Sequence, residues 1–361
     1  MKKKIAIIVG SLGRGGAERV TLYLTNHFRD REIEPFIITA LKRENEYKVP
    51  EGINRLNLQE MGSTSVVGLS WNLRKLIKKY MFDLVIIMDT PTCIYAIPAC
   101  LGTGVVTIVS ERNAPTHFSG KKLTKIVSRF FMRYADDYVF QTKGAMEFYS
   151  SWLKGRGTII FNPLDSDNLP SVYNENKRKV IVSVGRLDIQ KNHEMMLKAF
   201  ASIAEEFPEY RLIIYGEGAQ RPNLENLIIN LNLQDRVDLP GAIPNVTSEI
   251  KDASLFVFSS DFEGMPNALI EALAMGLPCV STDCPCGGPA ALIRNGENGI
   301  LTPVGNIEKF AEAMRYLLRE TDIAKQMGEK AALIRDELSV EKIGEQWRKF
   351  VLQVLHEKKG K

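Results

Sequence analysis

Histidine and cysteine are scarce in this chain, with four and five among 361 residues. The cysteines (Cys93, Cys100, Cys279, Cys284 and Cys286) form no C-x-x-C pair, and "CPC" has one residue between its thiols and no histidine nearby. That spacing argues against a zinc site. An odd cysteine count with no N-terminal secretory signal predicts a reducing cytosol. Long apolar runs are lacking too. The longest uncharged stretch, Thr90 to Ser110, has 21 residues but contains Pro91, Pro98, Gly102 and Gly104 and ends in "VVTIVS". It reads as a helix, a turn and a buried strand rather than a membrane span. There is no internal repeat and no low-complexity tract.

The composition that remains, 45% hydrophobic and 25% charged, suits a soluble enzyme with two domains of common size. Net charge is +4, unevenly spread. Residues 1–165 carry 24 Lys and Arg against 15 Asp and Glu, and the remainder 23 against 28. A basic first half beside an acidic second predicts that the first faces an anionic surface or ligand. Basic–aromatic blocks of the nucleic-acid type are absent, so no DNA or RNA partner is predicted.

Short apolar strands alternate with helical stretches. "KIAIIVG" (4–10), "DLVIIMD" (83–89), "GVVTIVS" (104–110), "DYVFQ" (137–141) and "GTIIF" (157–161) come first. A polar, aperiodic segment, "LDSDNLPSVYNENK" (164–177), reads as a linker. The alternation restarts with "KVIVSVG" (179–185), "YRLIIYG" (210–216), "RVDLPG" (236–241), "SLFVFSS" (254–260), "LPCVST" (277–282) and "GILTP" (299–303), and ends in helices. Continuous apolar strands between helices predict parallel sheets covered on both faces, in two doubly wound units with a cleft between them.

The most informative stretch is "SSDFEGMPNALIEALAMGLPCVS" (259–281). Pro266 suits a helix start and Gly276 its end. The helix's positive end then points at whatever lies beside Glu263 and Gly264, making an anion site, with Glu271 about 7 Å further along. Solvated acids would explain most such carboxylate pairs. "VGRLDIQKN" (184–192) sets Arg186 and Lys191 directly after a strand, where ligands collect in open sheets. A guanidinium fork and an ammonium suit the two phosphates of a nucleotide diphosphate.

With these pieces in series, the chain resembles family 4 glycosyltransferases of GT-B architecture over nearly its whole length. The matching stretches are "SLGRGGAER" (11–19), "VSERN" (109–113), "QTKGAMEFY" (141–149), "FNPLD" (161–165), "VGRLDIQKN", "IYGEG" (214–218), "LPGAIPNV" (239–246), the Glu263–Glu271 stretch, "GGPAALI" (287–293) and "NGENGILTPVGN" (295–306). The resemblance implies an α/β fold of two Rossmann-like domains facing across a cleft. Residues 1–164 and about 345–361 would form the acceptor domain, and 165–344 the nucleotide-sugar domain.

It further implies that Arg186 and Lys191 neutralise the diphosphate and that Glu263 holds donor-sugar hydroxyls. Gly264, Met265, Pro266 and Asn267 would contact sugar and distal phosphate, Glu271 the ribose, and the loop after Gly241 the base. Gly15 and Gly16 would admit the donor closely. The family retains anomeric configuration, with a donor phosphate oxygen helping to take the acceptor's proton, and it implies neither cofactor nor metal. Two departures stand out. Arg112 occupies the place near the catalytic centre where many relatives have a histidine and is read as catalytic in its stead, with His117 five residues later, and Ala290 and Ala291 replace an acid after the proline of "GGP".

"DSD" (165–167) lies in a linker and is not read as a metal site, and "GSLGRGG" has the wrong spacing for a dinucleotide loop. Two basic segments, "SWNLRKLIKKYMF" (70–82, with Arg74, Lys75, Lys78 and Lys79) and "KKLTKIVSRFFMRY" (121–134), predict amphipathic helices. Each either packs its apolar stripe on the sheet or meets an anionic cytoplasmic leaflet carrying a lipid-diphosphate acceptor. The expectation is a cytoplasmic, peripheral-membrane enzyme transferring a hexose or N-acetylhexosamine from a UDP-sugar to a growing glycan. A sugar-nucleotide epimerase and a silent nucleotide-sugar-binding scaffold are the alternatives.

Overall fold

The structure, a computed structural model, describes residues 2–13, 15–29, 31–116, 122–153, 155–172 and 177–359. His117 and Lys121 lie outside them. The chain divides into two compact units, Met1–Pro163 with Val340–Lys361, and Leu164–Ser339. The C-terminal segment of the first unit thus begins at Val340 rather than near 345.

The first unit holds seven parallel strands: β1 (Lys3–Val9), β2 (Ile33–Thr39), β3 (Asn54–Asn57), β4 (Leu84–Ile87), β5 (Val106–Glu111), β6 (Asp137–Phe140) and β7 (Thr158–Ile159). Their order is β3-β2-β1-β4-β5-β6-β7. Ile5 to Ile8 and Leu84 to Ile87 are wholly buried, as a sheet covered on both faces requires.

The sequence reading overlooked β2 and β3. β2 contains Pro35, which argues against a central strand, but β3 pairs only from Phe36 onward, so Pro35 lies beyond that pairing. β3, "NRLN", is a short polar edge strand with no apolar run to betray it.

The helix Val340–Lys359 belongs to the first unit. Ile343, Trp347, Val351, Val354 and Leu355 recur at helical spacing and are all buried. The helix packs on Gly16–Arg29, and a Cβ at Gly344 would come within 2.5 Å of the His27 ring.

The second unit has six parallel strands: β8 (Arg178–Val184), β9 (Arg211–Tyr215), β10 (Val237–Gly241), β11 (Ala253–Phe258), β12 (Cys279–Thr282) and β13 (Ile300–Thr302). Their order is β10-β9-β8-β11-β12-β13. From β8 the chain crosses to one side, and from β11 to the other. Loops leaving neighbouring strands in opposite directions open a crevice at the carboxyl edge of the sheet. In the second unit that switch falls between β8 and β11, and in the first between β1 and β4.

Candidate active site

β8 runs into the loop that carries Arg186 and Lys191, and β11 into the loop that carries Glu263. Because the strands are neighbours, residues 72 apart in sequence meet: Lys191 Nζ lies 2.7 Å from Glu263 Oε1. Both side chains are mostly buried, at 14% and 10% exposure. The ammonium also sits 4.7 Å from the Phe258 ring centre. Two charges held this far from water depend on each other, and removing one from a buried pair costs about 3–5 kcal/mol.

Further bonds fix the two loops together. The Ser259 hydroxyl donates to the Lys191 carbonyl (2.8 Å), and the Asp261 amide to the Gln190 carbonyl (2.9 Å). Gln190 Nε2 donates to the Phe262 carbonyl (2.9 Å), and Asn192 Nδ2 to Asp261 (2.7 Å). Asn192 adopts a left-handed φ of 45°, a conformation that asparagine tolerates better than most residues.

Arg186 differs from Lys191. Its side chain is 72% exposed and touches only Asp188 (3.0 Å) and Gln190 (3.2 Å). Exposed pairs of this kind contribute about 0–1 kcal/mol, so the guanidinium can turn to an incoming anion at little cost. His193 adds no third cation. Burial drives its imidazole down to about 4, leaving it neutral at pH 7 with Nε2 3.2 Å from the Arg186 carbonyl.

The Glu263 loop is braced from behind. Its amide donates to the Pro285 carbonyl (2.8 Å), and the Cys286 amide to the Glu263 carbonyl (3.1 Å). A Cβ at Gly288 would stand 1.8 Å from the Gly264 carbonyl oxygen. "GGPAALI" therefore backs the loop, a role the sequence reading missed because the signal was a glycine's lack of a side chain. Burial and the nearby Glu263 carboxylate push the Cys284 thiol up to about 12, so it is not a nucleophile.

Pro266 is the cap of the helix Asn267–Ala274 rather than its first residue. Leu269, Ile270, Leu273 and Ala274 bury one face, while half-buried Glu271 lies off it. Met265 is buried, and Gly264 and Asn267 are partly so. The helix's positive end faces the Glu263 loop. Gly276, at φ 73°, follows the helix end as expected.

The glycines of "IYGEG" are required by close packing. Cβ atoms at Gly216 and Gly218 would stand 1.8 and 2.2 Å from the Gly185 and Leu187 carbonyl oxygens. The Gly216 amide donates to the Gly241 carbonyl (3.0 Å), joining the ends of β9 and β10. Beside the loop a groove of about 360 Å³ is lined by Asp188, Asn192, Gln220, Asn223, Asn226 and Asn230 among others. Among the described residues no group of three or more His, Cys, Asp or Glu could hold a metal ion.

In the first unit Gly15 precedes, and Gly16 opens, the helix after β1. A Cβ at Gly15 would meet the Glu18 carboxylate at 2.3 Å, which the flexible side chain can relieve by turning away. Arg112 does not point into open space. Its Nη1 donates to Asn162 Oδ1 (2.8 Å), its plane lies 5.4 Å from the Trp347 ring centre, and Nε and Nη2 meet no acceptor. Burial works against its charge. The structure thus places it between β5 and the C-terminal helix.

Three acids that sequence reasoning passed over stand at the ends of first-unit strands or on the helix after β1. Glu111 accepts from the Thr90 hydroxyl, the Tyr149 hydroxyl (2.9 Å) and the Asn113 amide (3.1 Å). Asp89 accepts from the Thr92 amide (2.8 Å). Burial raises both carboxyls and that of Glu18. Their position at strand ends was the available signal.

Arg74 is occupied, donating to the carbonyls of Ala99 (3.1 Å) and Leu101 (2.6 Å) at the end of a neighbouring helix. Lys75, Lys78 and Lys79 are exposed, with Lys75 over Trp71 and Lys79 over Tyr80.

The family model described as glycosyl transferases group 1 matches residues 165–333, and that described as Glycosyltransferase Family 4 matches 14–168. The chain is 27% identical to an uncharacterized glycosyltransferase of Haemophilus influenzae, over 96% of this chain and 99% of that one. It is 26% identical, over 97% and 99%, to a Campylobacter jejuni N-acetyl-D-galactosaminyltransferase whose name gives a diNAcBac-PP-undecaprenol-linked glycan. Among solved structures it resembles Anabaena HepE in complex with UDP-glucose, with a TM-score of 0.81 at 18% identity, covering 97% and 99%.

Proposed function

Since the chain belongs to the family 4 type of glycosyltransferases and has the GT-B fold, we propose that it is a retaining enzyme using a UDP-sugar. It transfers a hexose or N-acetylhexosamine to a growing glycan on a polyprenyl diphosphate, at the cytoplasmic face of a membrane. The observation that carries this reading is the Lys191–Glu263 pair, held by two interlocked loops at the second unit's topological switch with exposed Arg186 beside it.

In this reading the diphosphate lies against Lys191 and Arg186, which stabilise the negative charge that grows as the glycosidic bond breaks. Glu263, held beside Lys191, accepts from sugar hydroxyls. The Gly264–Asn267 backbone meets the sugar and distal phosphate, Glu271 the ribose, and the loop after Gly241 the base. The acceptor hydroxyl attacks from the leaving-group face, and a donor phosphate oxygen helps take its proton, so positioning supplies most of the rate. The UDP complexes of fold neighbours support the donor class, and the Campylobacter relative's name supports a lipid-linked acceptor. The basic first half fits an anionic membrane surface.

A thermal-shift panel of UDP, GDP, ADP and CMP tests the donor. Ligand at 100 times its dissociation constant adds ~2.7 kcal/mol. A UDP-specific shift, lost in Arg186→Ala/Lys191→Ala, is expected. A GDP shift would replace the donor and keep the site. No shift with any nucleotide would overturn the nucleotide site, a UDP shift without transfer to any acceptor would favour the silent scaffold, and conversion of free sugar nucleotide without acceptor would favour the epimerase.

A further inference from the structure

The helix Lys122–Met132 leaves part of its apolar surface outside. Ser128 and Met132 are buried, with the Ser128 hydroxyl donating to the Pro91 carbonyl (3.3 Å), and Val127 and Phe131 are half-buried. A second apolar set faces away: Leu123, Ile126 and Phe130 are 71%, 57% and 48% exposed, and Tyr134 just beyond is 53% exposed. At about 100° per residue these four share one stripe, opposite the buried edge. The helix Val66–Tyr80 buries its stripe of Leu69, Leu73, Leu76 and Ile77 and shows its lysines to water, with Val67 and Trp71 exposed near its start and Lys75 over the Trp71 ring.

Two aromatic side chains of the next helix lie beside Arg129. The Arg129 guanidinium lies 5.0 Å from the Phe148 ring centre and 6.0 Å from that of Trp152, and both rings are partly exposed. Exposed Lys122 and Arg133 flank the apolar residues, and no acid occurs between Glu111 and Asp136. A helix in water gains by burying such a stripe, so leaving it outside calls for a partner. A rim of cations without acids specifies an anionic one, and an apolar stripe bordered by lysine and arginine matches the headgroup–acyl boundary of a bilayer.

We propose that the outward face of the helix Lys122–Met132, with Phe148 and Trp152 beside it, docks on an anionic phospholipid surface. This rests on the lipid-linked acceptor of the proposed function and identifies which of the two basic helices meets the membrane. The face would bring the first unit to the leaflet where a polyprenyl diphosphate headgroup is presented.

Co-sedimentation of the full chain with phosphatidylcholine vesicles, with and without phosphatidylglycerol, tests it. Ile126→Ser/Phe130→Ser removes the stripe, Lys122→Glu/Arg133→Glu reverses the rim, and Lys75→Glu/Lys78→Glu serves as the control helix. The expected result is binding to the anionic vesicles only, weakened about tenfold or more by the first two pairs and little by the third. Melting midpoints and the UDP shift, measured on every variant, report fold and donor site separately.

Absence of wild-type binding, insensitivity to Ile126→Ser/Phe130→Ser, or loss through the control helix would each overturn the assignment. So would a wild-type dimer in gel filtration that Ile126→Ser/Phe130→Ser dissociates, because a second copy would then cover the stripe. An intact UDP shift with no vesicle binding removes the docking face and leaves the transferase. Vesicle binding without a UDP shift does the reverse.

Discussion

Lys191 and Glu263 are two mostly buried charges in direct contact. Each compensates the other's burial, so the site costs stability only when one partner is lost. Glu263→Gln keeps the shape and removes the charge. Transfer should fall by about 10²–10³, as for loss of a positioned transition-state contact, and the melting midpoint should fall as well. Adding Lys191→Met should restore part of that midpoint, because no buried charge then stands alone. Strict additivity of the two changes would show that the pair is not coupled.

His193 gives a pH signature at the same scale. Its folded value is near 4 against an ordinary 6.5, and burial is the main cause. Between those values the unfolded chain binds the proton and the folded one does not, so stability rises with pH through this window and is lost on acidification. From pH 7 to pH 5 the loss is about 2 kcal/mol by linkage. His193→Gln should flatten that slope when urea midpoints at the two pH values are compared, and an unchanged slope would remove His193 as its source.

At the scale of elements, the Glu263 loop owes its position to a neighbour with no side chain. Gly288→Ala would drive a methyl into the Gly264 carbonyl, so the loop must move. Gly287, next in line, has a left-handed φ of 85° but nothing within 4 Å of an added Cβ. Gly287→Ala should cost about 1–2 kcal/mol of backbone strain and spare UDP affinity, whereas Gly288→Ala should weaken UDP binding strongly. Isothermal titration of both variants separates strain from displacement, and equal affinities would show that the brace does not matter.

At the scale of the whole molecule, each proposed donor contact at the diphosphate and ribose lies between Leu164 and Ser339. That unit has its own core, around Phe200, Leu212, Leu255 and Phe310. Expressed alone, it should fold and show the UDP shift but no transfer, since the glycine loop and acceptor face belong to the other unit. Trp347 is the corresponding keystone of the first unit, fully buried on the C-terminal helix. Trp347→Ala should cost that unit about 3–5 kcal/mol and leave the second unit's unfolding transition where it was, as calorimetry would resolve.

The sequence by itself determined what local pattern can encode. It specified alternating strands and helices, the polar break near residue 164, the two loops bearing Arg186, Lys191 and Glu263, and the family, because order and spacing survive in one dimension. It hid β2 and β3, whose proline and polar residues make sense only once their neighbours are known.

Only the tertiary structure decided which residues meet. Strand order brings β8 beside β11, and no spacing rule predicts contact across 72 residues. The same holds for Arg112, read as a catalytic residue from its place in "SERN" but placed by packing against Trp347 from the far end of the chain. For the helix Lys122–Met132, periodicity revealed two faces but not which one is buried. That choice is made by what stands opposite, and here Pro91 and the helix after it face the polar side.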